Sequence, residues 1–170
     1  MAEANLKITR DEPEFLLDVF LQPGDFFWGD SDTRIRTLLG SCVSITIWHP
    51  ALKVGGMCHF LLPSRPANAA HAKGRYLDGA MELFAENIAK TGRNIKEFQC
   101  KAFGGGNMFR ERVDNVEVIG EKNIRAVEEM TQSGKLVVLS SDLGGAFYRR
   151  VQFNVWSGEV WVKRKATEQT

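Results

Sequence analysis

Two extended stretches, Val43 to Trp48 and Val54 to Leu62, stand on either side of His49-Pro50-Ala51-Leu52. The first alternates apolar and polar residues, the period of a half-buried strand. The connecting tetrapeptide carries proline at the second position of a turn. A hairpin is therefore the seed of the fold, and an isolated hairpin is marginal in water without further partners. The rest of the chain offers them. Strands are expected over Leu16 to Gln22, stopped by Pro23-Gly24, and over Ile35 to Leu39, Glu97 to Phe103 and Leu136 to Ser140. Arg149 to Trp156 and Val160 to Arg164 form a further hairpin around Ser157-Gly158. Pro63 to Gly74 reads as a loop. Only two segments change to a helical period. Leu77, Met81, Phe84 and Ile88 share one face of a helix from Tyr76 to Lys90, closed by Thr91-Gly92. Ile124, Val127 and Met130 form the stripe of a helix from Glu121 to Ser133. Strands outnumber helices, and both helices need a sheet to cover. The expected class is an α/β (α+β) layered sandwich: a mixed, mostly antiparallel sheet covered by two main helices. At 170 residues a single domain spanning 1–170 is the default, with the polar residues 1–12 loose.

Charge and cysteine usage narrow the functional classes. Lys and Arg number 22 and Asp and Glu 21, so the net charge is +1 and no broad field attracts polyanions. Nucleic acid is not an expected partner, and the basic cluster Lys163-Arg164-Lys165 reads as a solvated tail. No apolar run approaches the roughly 18 residues needed to cross a bilayer, so membrane insertion is not expected. The acidic, apolar-poor start MAEANLKITRDEPEF gives no export signal, and the expected location is cytoplasmic. The three cysteines, Cys42, Cys58 and Cys100, contain no CxxC pair. That spacing argues against a disulfide framework or a structural zinc site.

The hairpin also carries the candidate chemistry. A symmetric turn centred between Pro50 and Ala51 sets Cys42 directly opposite His59, with Cβ atoms roughly 5 Å apart. Val43, Ile45, Ile47, Val54, Cys58 and Phe60 then form one apolar face. Cys42, Ser44, Thr46, Gly55, Met57 and His59 form a smaller, more polar face. A one-residue slip would undo the pairing. A free thiol has a pKa of about 8.5. A neighbouring imidazole can take its proton, leave a thiolate nucleophile, and later protonate a leaving amine. Backbone N–H groups of Gly40-Ser41-Cys42 would stabilise an oxyanion. The plainer alternative is that Cys42 is a small buried hydrophobe beside a chance histidine. The segment Phe103-Gly104-Gly105-Gly106-Asn107 offers close backbone approach to a ligand, with Gly104, Gly105 and Asn107 as substrate-binding or oxyanion candidates. Its alternative is a sharp turn. Asp142-Leu143-Gly144-Gly145 is a second glycine turn. His49 and His71 fall in turns and are expected to be solvated.

Taken together, LGSCVSITIWHP, GGMCHFLLP, the GGGNMF loop, IGEKNIRAVEEM and VQFNVWSGEVWVKR resemble the CheD family of chemoreceptor glutamine deamidases, in order from about Leu16 to Arg164. The resemblance implies a layered fold similar to the catalytic domain of the cytotoxic necrotising factors. It also implies hydrolysis of receptor glutamine side chains to glutamate, with no metal or organic cofactor. Its catalytic cysteine and histidine fall on Cys42 and His59. Its threonine stands six residues before the cysteine, where this chain has Arg36. Thr37, five before, is the candidate that a local shift or bulge would bring into place. The resemblance further implies chemoreceptor cytoplasmic domains as protein substrates and a CheC-type phosphatase as a partner. The rival expectations are a non-enzymatic chemotaxis adaptor and another cysteine amidohydrolase, a transglutaminase or peptidase.

Overall fold

A computed structural model describes residues 12–69, 71–108 and 117–166. Among them, β1 (Leu17–Leu21), β3 (Thr33–Leu39), β8 (Phe147–Asn154) and β9 (Val160–Ala166) form a four-stranded sheet in the order β1-β3-β8-β9. A five-stranded sheet has the order β2-β5-β4-β6-β7, from β2 (Phe26–Gly29), β4 (Val43–His49), β5 (Val54–Cys58), β6 (Gln99–Gly104) and β7 (Val138–Leu143). Each sheet contains one parallel pair, β1 with β3 and β6 with β7; the other ladders are antiparallel. The helices are α1 (Leu77–Thr91) and α2 (Ile119–Gln132). The layered α+β class stands, but the single expected sheet is two sheets, stacked.

Two cores explain the layering. Val43, Ile45, Ile47, Cys58 and Phe60 of the five-stranded sheet pack against Leu77, Ala80, Phe84 and Ile88 of α1 and Val127 of α2. The second core joins the sheets: Leu21, Ile35, Leu39, Val151 and Phe153 meet Met57 and Phe103. Strand β3 shows the pattern plainly, with Thr33, Ile35, Thr37 and Leu39 buried and the residues between them partly or fully exposed. Strand β4 lies in the middle layer and is buried on both faces, Ser44 and Thr46 included. Each fully buried Ile, Leu or Phe contributes roughly 1.5–3 kcal/mol. The face expected to be smaller and more polar is thus the seam between two sheets. Helix α1 ends on Gly92, left-handed at φ 70°, as its sequence implies.

Several expectations are corrected. His49 pairs with Val54, so the connection is the four residues 50–53, with Lys53 left-handed at φ 51° and its N–H on the His49 carbonyl at 2.9 Å. The register is consequently two residues from the symmetric one: Val43 bridges Phe60, Thr46 faces Met57, and Cys42 is not opposite His59. An even shift keeps every side chain on its expected face, so Cys58 enters the helix-side core as foreseen. His49 is buried, its Nδ1 accepting from Leu52 N–H at 3.1 Å and its ring edge-on to Phe98. Lys163-Arg164-Lys165 belongs to β9 and is no tail. Phe26–Gly29, which lacks a polar–apolar alternation, is the strand β2 that pattern reasoning passed over.

Behind the glycine turns lies Arg149, fully buried. Its guanidinium donates to the Gly104 carbonyl at 3.2 Å, to the Gly144 carbonyl and to Asp142 Oδ1 at 3.3 Å, and it sits 4.6 Å from the Phe147 ring centroid. Arg164 holds the same carboxylate at 2.6 Å. These two arginines keep the Asp142 carboxyl below its ordinary pKa, Arg164 by the larger effect. Arg149→Met keeps the length and removes the donors, stranding two backbone carbonyls. A loss of about 2–4 kcal/mol is expected. Urea unfolding at neutral pH, read as a lower midpoint with an unchanged slope, checks it.

Candidate active site

The three expected residues all touch the seam between the sheets. The first expected residue, Cys42, lies in the link between β3 and β4 and is partly exposed, packed against the inter-sheet core. Burial raises its thiol pKa, and the adjacent Cys42 N–H lowers it by a smaller amount. Cys58 and Cys100 differ: burial pushes both thiols up to about 12, so neither ionises near neutral pH. Among the described residues no three His, Cys, Asp or Glu side chains gather as a metal site.

His59 follows the last residue of β5, where the ladder to β4 is interrupted. The Ile45 N–H turns to Cys58 Sγ at 3.4 Å, and the Ser44 hydroxyl donates to the Cys58 carbonyl at 2.6 Å. His59 instead bonds to the Pro23-Gly24-Asp25 turn: its N–H donates to the Asp25 carbonyl at 3.0 Å, and its carbonyl accepts from Gly24 N–H at 2.8 Å. The turn that ends β1 is therefore what carries the histidine backbone.

Thr37 supplies the contact to the ring. Strand β3 pairs regularly with β1 and β8 through Thr37, so no bulge is needed. Strand parity alone decides between neighbours. Arg36 points out and pairs with Asp18 at 2.8 Å, while Thr37 points into the seam. Thr37 Oγ1 lies 2.7 Å from His59 Nδ1 and 2.9 Å from the Leu21 carbonyl. A carbonyl only accepts, so the single hydroxyl proton goes to Leu21. Thr37 Oγ1 must then accept from Nδ1–H, which leaves the lone pair on Nε2. That atom is buried and has no hydrogen-bond partner among the described residues.

The glycine segments occupy a different position from the one expected of ligand loops. Gly105 N–H donates to the Cys42 carbonyl, Gly106 N–H to the Gly40 carbonyl, both at 2.9 Å, and Asn107 N–H to the Gly145 carbonyl at 2.8 Å. The backbone donors of Gly105 and Asn107 are engaged within the protein. Gly104 adopts φ 113°, and a Cβ there would stand 2.2 Å from the Cys42 carbonyl oxygen. These glycines allow β6 to pass directly behind the cysteine link. Among the described residues, the N–H groups of Ser41 and Cys42 donate to no backbone carbonyl outside the strand ladders.

Two residues of this neighbourhood were not singled out from sequence. One is Arg149. The other is Asn123 of α2, fully buried, whose Nδ2 donates to the Ser41 carbonyl at 3.2 Å and to the Leu61 carbonyl at 2.9 Å. Its signal was present: an amide four residues before Val127 falls on the buried stripe of the helix.

A layered α+β protein with a partly exposed cysteine packed against a sheet–sheet seam, and a buried threonine–histidine pair across that seam, is the class that fold and site define. Residues 61–164 match the family model described as CheD chemotactic sensory transduction. The chain is 50% identical over 149 residues to a probable chemoreceptor glutamine deamidase CheD 1 of Chromobacterium violaceum, covering 86% of this chain and 77% of that one. It is 43% identical over 152 residues to a probable chemoreceptor glutamine deamidase CheD 3 of Dechloromonas aromatica, covering 88% and 89%. A CheD 1 of Leptospira interrogans, with the same probable activity, is 43% identical over 163 residues, covering 90% and 96%. The chain belongs to the CheD family.

The electrostatics of His59 generate a stability prediction. Burial lowers its pKa to about 4, against a smaller opposing pull from Asp25. The free side chain titrates near 6.5. Between those values the unfolded chain binds a proton that the folded chain does not. Stability is therefore full above about pH 6.5 and falls as the pH drops toward 4, by at most about 3 kcal/mol. Urea unfolding of wild type and His59→Gln at pH 7.5 and 4.5 measures this, and the acid-side loss should be smaller in the variant.

Proposed function

We propose that the chain is a protein-glutamine deamidase that converts glutamine side chains of chemoreceptor cytoplasmic domains to glutamate through a thioester on Cys42. The relatives named as probable chemoreceptor glutamine deamidases support the substrate. The single observation that supports the chemistry is the Thr37–His59 hydrogen bond, which leaves Nε2 of a neutral imidazole as a free base.

In this reading the substrate amide enters beside Cys42. His59 Nε2 takes the thiol proton as Sγ forms its bond to the amide carbon. The resulting oxyanion is held by the N–H groups of Ser41 and Cys42, which donate to no backbone carbonyl outside the strand ladders among the described residues. The tetrahedral adduct collapses, the C–N bond breaks, and the imidazolium returns its proton to nitrogen, releasing ammonia. Water, deprotonated by His59, attacks the thioester, and the glutamate carboxyl leaves as the thiol reforms. The order of events follows from the resting pKa directions. Burial favours the neutral thiol and the neutral imidazole alike, so proton transfer accompanies attack rather than preceding it. No step requires a metal or organic cofactor. No described helix is long and apolar enough to cross a membrane, and the receptor's cytoplasmic domain sets a cytoplasmic location for the reaction. A CheC-type phosphatase is the further partner in this reading, competing for the same cleft.

Intact-mass spectrometry of a receptor cytoplasmic fragment tests the reaction. Wild-type protein should convert amide to acid and Cys42→Ala should not, with the variant's circular dichroism unchanged; conversion by both would remove Cys42 as nucleophile. Thr37→Val keeps the side-chain volume and removes the acceptor for Nδ1–H. Its kcat is expected to fall about 10- to 100-fold, the usual effect of removing a partner that fixes a functional imidazole. A Thr37→Ser variant, which retains the hydroxyl, should recover most of the rate.

A further inference from the structure

The three peptides around the nucleophile are anchored from behind, one carbonyl at a time. Gly106 N–H holds the Gly40 carbonyl, Gly105 N–H holds the Cys42 carbonyl, and between them the Ser41 carbonyl is held by the Asn123 side chain at 3.2 Å. In a trans peptide the carbonyl and the following N–H point in opposite directions. The donor on the Ser41 carbonyl therefore sets the direction of the Cys42 N–H.

The same amide nitrogen reaches the Leu61 carbonyl at 2.9 Å, two residues beyond His59. Its two protons thus tie the cysteine link to the histidine segment. The orientation of the amide is unambiguous, because reversing it would set Oδ1 against two carbonyl oxygens. Oδ1 itself is buried with no hydrogen-bond partner among the described residues.

We infer that Asn123 is a positioning residue for the deamidation reaction: it acts through the Ser41–Cys42 peptide, aiming the Cys42 N–H at the oxyanion of the substrate amide. The inference rests on the thioester reading above and adds a residue on α2 to it. It predicts a separation between two reactions of the same thiol. Alkylation by iodoacetamide needs a thiolate and develops no oxyanion. Deamidation needs both the thiolate and the aimed N–H.

The test compares wild type, Cys42→Ala, Asn123→Leu and Asn123→Asp in full-length protein, with a receptor cytoplasmic fragment as substrate. Leucine removes both donors at similar volume. For Asn123→Leu the deamidation kcat should fall about 100-fold, the scale of losing an oxyanion donor, with KM and the Cys42 alkylation rate within about threefold of wild type. Burial favours the neutral form of an aspartic acid there, which has one proton to donate where the amide has two, so Asn123→Asp should lie between wild type and leucine; it decides the matter if leucine does not fold. A folded variant with wild-type kcat overturns the inference, as does a parallel loss of deamidation and alkylation. A wild-type protein that alkylates at Cys42 but does not deamidate overturns the enzymatic reading, and this inference with it.

Discussion

The Thr37 hydroxyl has one proton, and it is already given to the Leu21 carbonyl. Much of the site follows from that constraint. The bond from His59 Nδ1 to Thr37 crosses the seam, joining β3 of one sheet to the end of β5 in the other. It selects the tautomer, orients the ring and leaves Nε2 as a base. A carboxylate in the same place would do this more strongly, but it would introduce a charge between two packed sheets, where desolvation is expensive. A neutral hydroxyl suits a dry seam. It also suits a histidine that burial keeps unprotonated, since among the described residues only Asp25 favours the imidazolium, and by less than burial opposes it.

The same dryness explains why support comes from behind. Carbonyls of the link that point into the packed interior need protein donors. Gly105, Gly106 and Asn123 serve the cysteine link, and Arg149 serves the glycine turns that serve it in their turn. With their carbonyls drawn inward, the peptides of the link turn their N–H groups to the opposite side. In the proposed reaction these N–H groups would meet the oxyanion, and the packing of β6 and α2 holds them in place beforehand. The absence of a Cβ at Gly104 is what permits the approach, since a methyl group there would overlap the Cys42 carbonyl.

Periodicity read from the sequence reached further into faces than into registers. Cys58 entered the core and Met57, Ser44 and Thr46 shared the other face, because a period of two survives any even shift. Opposition of Cys42 to His59 did not survive, because it depended on where the turn closes. That closure is governed by Lys53 in a left-handed conformation and by Leu52 N–H on His49 Nδ1, neither of which a Pro-Ala turn announces. The choice between Arg36 and Thr37 was legible in principle from alternation along β3. Thr37 was instead carried on a supposed shift or bulge, because nothing in the linear pattern says that β3 faces a second sheet. The seam itself was the missing idea. A short polar set such as Ser44, Thr46 and His59 looks like a solvent face, and only the four-stranded sheet shows it to be an interior.

The helix residue Asn123 shows the complementary difficulty. Its neighbours Ile124, Val127 and Met130 draw attention as an apolar stripe, and an asparagine beside them passes for surface. Burial of an amide in such a stripe carries a desolvation cost, and it persists when the amide meets groups that cannot be satisfied otherwise. Here those groups are the carbonyls of Ser41 and Leu61, brought to one point from segments 20 residues apart in number but adjacent across the β4–β5 ladder. Neither helix period nor strand period alone carries that information. It arises where the two meet, and for the same reason a polar residue on a buried helical stripe, over the link that carries the partly exposed cysteine, is a stronger sign of a supported site than the glycine loops beside it.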